Sequence, residues 1–188
     1  RTTPFVSKST NIPLAKIAAQ LSVGQKLKNY NLPRWDSINH VSIKEAVLPF
    51  NKFPAESIFL SPEMKSTGEV MGISENFGLS FYKATLSAGI KLPESGLVFI
   101  SVNNEDKFKI ISIARAFKEF GFNIVATEGT AKELIKNGML AETVYKVGEG
   151  RPNIVDRIKN NEIDLVINTP LGAQSRYDEE AIGKACIQ

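Results

Sequence analysis

Four short polar clusters in the second half of the chain combine residue types that bind anions. The first runs from Ser101 to Lys107. The second is Thr127-Glu128-Gly129-Thr130. The third starts at Lys146 and continues through Gly148-Glu149-Gly150-Arg151-Pro152. The fourth is Asn168-Thr169-Pro170-Leu171-Gly172. Together they carry two ammonium groups, an arginine, hydroxyls and an amide. The second cluster stands where an extended pattern gives way to a helical one. Its backbone N–H groups are therefore the unpaired donors of a helix start, which also carries partial positive charge. Gly129 lets a ligand approach the backbone closely, and Thr127 and Thr130 add hydroxyl donors. This is chemistry suited to a phosphate. Each cluster also has a plainer reading. Thr and Gly commonly cap helices and turn chains at strand ends, and Lys at a helix start is usually solvated. The coincidence of all four argues for a ligand.

The surrounding pattern decides whether they can meet. Leu97 to Val102 is an apolar run of the kind found in buried parallel strands. Asn103 or Asn104 then caps a helix carrying Ile110, Ile111, Ala114 and Phe117, ended by Gly121. A second strand covers Phe122 to Thr127. A short helix runs from Gly129 to Asn137 and closes at Gly138. Thr143 to Val147 is a third strand, Pro152 to Lys159 a helix, and Ile163 to Asn168 a fourth strand. Strict alternation of strands and helices predicts an α/β fold, a doubly wound parallel sheet with helices on both faces. Such sheets bind ligands at the carboxyl ends of their strands, and all four clusters fall there.

The first half is mixed. Pro13 suits the first turn of a helix through Leu14, Ile17, Ala18 and Leu21. Val41 to Phe53 reads as extended with a break at Pro49, and Thr67 to Gly72 as a second extended run. Ser74 is positioned to cap a helix through Phe77, Phe81, Leu86 and Ala88. Gly89 to Gly96 suits a linker, giving units over 1–92 and 93–188. Phe50, Phe53, Phe77 and Phe81 are expected to form a core. His40 reads as surface, Trp35 as packing, and Cys186, on an apolar helix face with Ile182, as a core thiol.

Composition narrows the function. The chain has 188 residues with 43% hydrophobic and 23% charged, enough apolar content for real cores. A net charge of +3 without a dense basic stripe makes nucleic acid a poor partner. No apolar run approaches the ~20 residues of a membrane span, and no signal peptide is visible. One cysteine excludes an internal disulfide framework and fits a reducing cytoplasm. The missing initial Met and an end inside a helical pattern read as a piece of something larger.

Two stretches carry a resemblance. They are Pro4-Phe5-Val6-Ser7-Lys8-Ser9-Thr10 with Pro13-Leu14-Ala15-Lys16, and Val47-Leu48-Pro49-Phe50-Asn51-Lys52-Phe53 followed by Pro62 to Gly72. They resemble the end of the second ATP-grasp half of the carbamoyl phosphate synthetase large subunit. The remainder, with Thr127-Glu128-Gly129-Thr130, Glu149-Gly150-Arg151-Pro152 and Ile167-Asn168-Thr169-Pro170, is similar to that subunit's terminal regulatory domain, of methylglyoxal-synthase-like fold. The resemblance implies an α+β remnant of an ATP-grasp lobe before the parallel sheet, and a domain whose last strand lies beyond Gln188. It implies no catalytic residue and no metal ligand here, because the family's ATP- and metal-binding carboxylates precede this stretch; the parent uses ATP with Mg2+ or Mn2+.

The implied partners are a nucleotide effector, UMP first and IMP second, the rest of the large subunit and the glutaminase small subunit, with no nucleic acid and no membrane. The family's effector contacts fall on Lys107, Thr127, Thr130, Lys146, Asn168 and Thr169. Pro170 stands where some members carry another Thr, which removes a hydroxyl. Glu128 would repel a phosphate unless its side chain points away. Members that respond to N-acetylglutamate carry an apolar aromatic in place of Lys146. The family's ornithine site would leave Glu45, Leu48 and Leu60 as a remnant. A rival implied by the same fold is a phosphosugar lyase of the methylglyoxal synthase type. It needs a carboxylate base and a His near the phosphate. Arg151 stands at the matching loop, and the one His of the chain lies in the first half. A third reading is an interaction domain with an empty rim.

Overall fold

A computed structural model describes residues 2–34, 38–48, 50, 68–171 and 173–187. Trp35, Phe53 and Leu60 lie outside the described residues. The chain divides into two compact units, with Lys91 ending the first and Leu92 beginning the long segment of the second.

The first unit is α+β. Helices α1 (Thr2–Thr10) and α2 (Leu14–Ser22) precede strands β1 (Val41–Val47) and β2 (Gly68–Ser74) and helix α3 (Phe77–Ser87). The strands pair antiparallel, from Val41 opposite Ser74 to Val47 opposite Gly68. Helix α1 has no precedent in the sequence pattern, since its Thr, Ser and Val residues are weak helix formers. Side chains tie it down: the Ser9 hydroxyl lies 2.7 Å from that of Ser42, and His40 Nε2 lies 2.8 Å from the Ser9 carbonyl oxygen. His40 is thus half-buried and anchored, a correction to its surface reading. Ser74 ends β2, and Asn76 caps α3 instead, its side chain accepting from the Leu79 N–H at 2.9 Å.

The expected phenylalanine core is also corrected. Phe77 is 66% and Phe81 44% exposed, their rings stacked 6.0 Å apart. Phe50 is half-buried. The cause is Gly72 on β2, where any Cβ would collide with the Ser80 carbonyl oxygen. Helix α3 therefore meets the sheet through Ser80 and Ala84, both fully buried, and its aromatic face turns outward.

The second unit is the parallel sheet. Its strands β3 (Leu97–Val102), β4 (Asn123–Thr127), β5 (Glu142–Val144) and β6 (Leu165–Thr169) alternate with α4 (Lys107–Glu119), α5 (Glu128–Lys136), α6 (Ile154–Lys159) and α7 (Ala173–Ile187). The order is β5-β4-β3-β6, and every pairing is parallel. Alternation along β3 sorts two cores, as a strand's period of two requires. Val98, Ile100 and Val102 pack with Ile110 and Ala114 of α4 and Ala131 and Leu134 of α5. Phe99 points to the opposite face, with Ile154 and Ile158 of α6 and Ile182 and Ala185 of α7. Cys186, expected in that core, is exposed, and it is Ala185 that faces inward. Partial burial still pushes the Cys186 thiol up from its ordinary value.

Two strand boundaries differ from the sequence expectation. Strand β5 ends at Val144, and Tyr145 forms an isolated bridge with Asn153. Strand β6 starts at Leu165, and just before it the Asp164 N–H donates to the Leu97 carbonyl oxygen at 2.9 Å while the Asp164 carboxylate accepts from the Leu97 N–H at 2.7 Å. That contact needs Gly96, which adopts φ +126 and whose missing Cβ would strike the Asp164 carboxylate.

Candidate functional site

The four clusters converge. A cavity of about 280 Å³ opens at the carboxyl ends of the strands, and all seven expected effector-site residues line it: Lys107, Thr127, Gly129, Thr130, Lys146, Asn168 and Thr169. Each arrives by a short route from a strand. β3 leads to the turn before Lys107, β4 runs directly into Thr127, β5 leads to Lys146, and β6 ends in Asn168 and Thr169.

The start of α5 forms the floor. Thr127 and Thr130 are 4% and 1% exposed, so their hydroxyls belong to the interior. They lie 3.3 Å apart, Thr127 Oγ1 is 3.4 Å from Ser101 Oγ, and Thr130 Oγ1 accepts from the Val102 N–H at 3.3 Å. Thr127 makes no side-chain cap bond to α5. Among the described residues no side chain caps the first N–H groups of this helix, the condition that suits an anion. A Cβ on Gly129 would sit 3.3 Å from Lys107 Nζ. The Lys107 ammonium therefore lies over the first turn of α5, where glycine leaves it room. Two sources of positive potential meet at one point.

Glu128 does not spoil this. Its carboxylate accepts from Lys132 Nζ at 2.6 Å on the exposed side of α5. That hydrogen bond, and the lysine's charge behind it, hold the Glu128 carboxyl below its ordinary range. Pro170 lines the cavity without a hydroxyl, and the Thr169 Oγ1 is engaged by the turn after β3, accepting from the Asn103 N–H at 3.2 Å. Arg151 is not among the lining residues. It is exposed, with Nη1 3.6 Å from Asp156 Oδ1.

Lys146 stands across the cavity. Its backbone N–H donates to Glu149 Oε2 at 3.1 Å, closing the turn that presents it. Near it lies a residue that sequence reasoning missed. Asp178 of α7 lines the cavity, and its Oδ1 is buried with no hydrogen-bond partner among the described residues. Burial raises the Asp178 carboxyl above its ordinary value, the Lys146 charge opposes this, and the Glu149 charge adds to it. A buried acceptor without a donor is costly, and a ligand hydroxyl or amide is the natural donor. Only an acid on a polar helix marks this position in the sequence. The remaining wall is apolar, with Phe99, Val147, Ile154 and Ile182. The cavity thus offers Lys107 with the open N–H groups of α5, Lys146 with the Asp178 acceptor near it, and an apolar lining.

Of the expected ornithine-site residues, Glu45 and Leu48 lie in the first unit, and Leu60 is outside the described residues. Glu45 and Leu48 are half-buried at β1, with Glu45 opposite Val70.

Comparison with known proteins gives consistent likenesses. The family described as MGS-like domain matches residues 109–188. The carbamoyl phosphate synthase large chain of Acidobacterium capsulatum is 53% identical over all of this chain, and that of Archaeoglobus fulgidus is 52% identical over all of it; the chain spans 18% of each relative's length. A carbamoyl phosphate synthase large chain, C-terminal section, of Aquifex aeolicus is 48% identical over the whole chain, which spans 38% of it.

Proposed function

Because this chain belongs to the carbamoyl phosphate synthase large-chain family, we propose that its parallel-sheet unit binds a nucleoside monophosphate as a regulatory effector and performs no catalysis itself. UMP is the first choice and IMP the second. The carrying observation is the cavity, in which Lys107, Lys146 and the uncapped start of α5 face one space. A nucleotide phosphate bears nearly two negative charges at neutral pH, and two ammonium groups offset them. Asp178 Oδ1 is available to a sugar hydroxyl, and the apolar wall to a base.

On this reading the chain is the C-terminal part of the large chain of a glutamine-dependent synthase. That enzyme makes carbamoyl phosphate from bicarbonate, ATP and glutamine-derived ammonia, for pyrimidine and arginine biosynthesis. Its partners are the rest of the large chain and the glutaminase small subunit. ATP and its Mg2+ or Mn2+ belong to other segments of that protein. Among the described residues no group of His, Cys, Asp and Glu is placed to hold a metal, and no described helix is long and apolar enough to cross a membrane.

Calorimetry with UMP, IMP and N-acetylglutamate tests the reading. UMP and IMP should bind, and N-acetylglutamate should not. UMP binding that persists unchanged after both Lys107→Ala and Lys146→Ala would place the ligand elsewhere. Methylglyoxal formation from dihydroxyacetone phosphate well above buffer would favour the lyase.

A further inference from the structure

Helix α4 also begins at the cavity, and its start is unusual. Asp106 immediately precedes it. An Asp with extended backbone there folds back and accepts from the N–H groups of the first turn, but Asp106 is helical, with φ -94 and ψ -8. Asp106 makes no such bond. Its Oδ2 instead accepts from Asn103 Nδ2 at 2.8 Å, and its Oδ1 from Lys109 Nζ at 3.1 Å. Lys109 is 73% exposed along its side chain, a flexible partner that holds nothing alone. Asn103 is the fixed partner, and the Thr169 hydroxyl that Asn103 also contacts favours the same carboxylate. Asn103 Oδ1 accepts from the Glu105 N–H at 2.8 Å and the Asp106 N–H at 3.1 Å. Its Nδ2 also reaches the Thr169 carbonyl and hydroxyl oxygens, both at 3.2 Å, and its own N–H reaches the same two oxygens.

We propose that Asn103 is a positioning residue of the cavity: it holds the Asp106 carboxylate off the start of α4, so that the first N–H groups of that helix and the Lys107 ammonium stay available to the ligand's anionic group. This rests on the reading of the cavity as an anion site. The chemistry requires an amide. An aspartate at 103 would supply the acceptor oxygen but set a second anion against Asp106. A serine would keep an acceptor for the turn but has no second donor to pin both Asp106 and Thr169. Released from Asn103, the Asp106 carboxylate is free to swing toward its neighbour Lys107, where its negative charge opposes an incoming phosphate.

Calorimetric titration of the 188-residue chain with UMP tests this, with circular dichroism to confirm folding. N103S should weaken UMP binding about tenfold. The double variant N103S/D106A should recover to within about threefold of wild type, which a merely structural role for Asn103 does not predict. If N103S folds poorly, N103D replaces it, with a larger loss and the same recovery on adding D106A. Wild-type chain that binds no UMP removes the anion reading and this inference with it. N103S binding as tightly as wild type, with wild type binding, overturns the positioning role alone. A loss that persists in the double variant also overturns it, because Asp106 is then not the cause.

Discussion

Helices α5 and α6 begin at the ends of neighbouring strands and begin in opposite ways. The start of α6 is closed by its own residues: Asn153 Oδ1 accepts from the N–H groups of Val155 and Asp156 at 3.0 and 3.2 Å, and the Asp156 carboxylate accepts from the Asn153 N–H at 2.9 Å. That is a complete capping box. The start of α5 has Thr127 in the same place with no cap bond, a glycine in its first turn and a lysine ammonium over it. One helix satisfies its donors permanently. The other leaves them for something that comes and goes. The difference separates residues that stabilise the fold from residues that stabilise a complex.

The largest test of that separation is Lys146→Ala. A charge-assisted contact contributes roughly 1.5–3 kcal/mol, so UMP affinity should fall about ten- to a hundredfold, with the melting temperature of the free chain nearly unchanged. Asn153→Ala is its counterpart. Losing the cap should cost about 1 kcal/mol of stability, read by chemical denaturation, with UMP affinity retained in the folded chain. If Asn153→Ala weakens UMP as much as Lys146→Ala does, the comparison fails. Gly129→Ala sharpens it: the new Cβ meets only the mobile tip of Lys107, and alanine is the better helix residue. Stability should hold or rise slightly while UMP binding weakens several-fold, as roughly 1 kcal/mol implies.

The smallest effect concerns Asp178. Burial raises its carboxyl above the ordinary 3.8, so between the unfolded and folded values the folded chain binds more protons. Stability is then greatest below the unfolded value and declines as pH rises through the folded one. Asp178→Asn should raise the unfolding free energy at pH 7 by less than about 1 kcal/mol, read by chemical denaturation, because solvent screens much of the charge. The gain should shrink in melts at acid pH.

Much of the second unit was legible because two signals agreed. Apolar runs such as Leu97–Val102 marked strands, and the polar residues after each marked one rim. Parallel pairing then brought Lys107, Thr127, Lys146 and Asn168 together without detailed knowledge of packing. What stayed hidden depended on packing. Asp178 is an ordinary acid until α7 docks. Asn103 reads as a helix cap, yet its amide spans to Thr169. The aromatic face of α3 reads as core until Gly72 draws Ser80 and Ala84 to the sheet instead. Helix α1 defied propensity because contacts of Ser9, near its end, with Ser42 of β1 and with His40 tie it down.

The clasp between Asp164 and Leu97 lies at the opposite end of the strands from the cavity, yet it acts as a ruler for it. With Asp164 held against the Leu97 N–H, β6 can slide neither way along β3, and Asn168 falls opposite Ser101. A shift of one residue would turn every β6 side chain to the other face and bring an isoleucine or a threonine where the amide belongs. Gly96 guards that alignment, since a larger residue there would push the carboxylate out of its seat. A lesion at this far end would thus show itself as a chain still folded, with its sheet still paired, that has lost count of where its binding residues should stand.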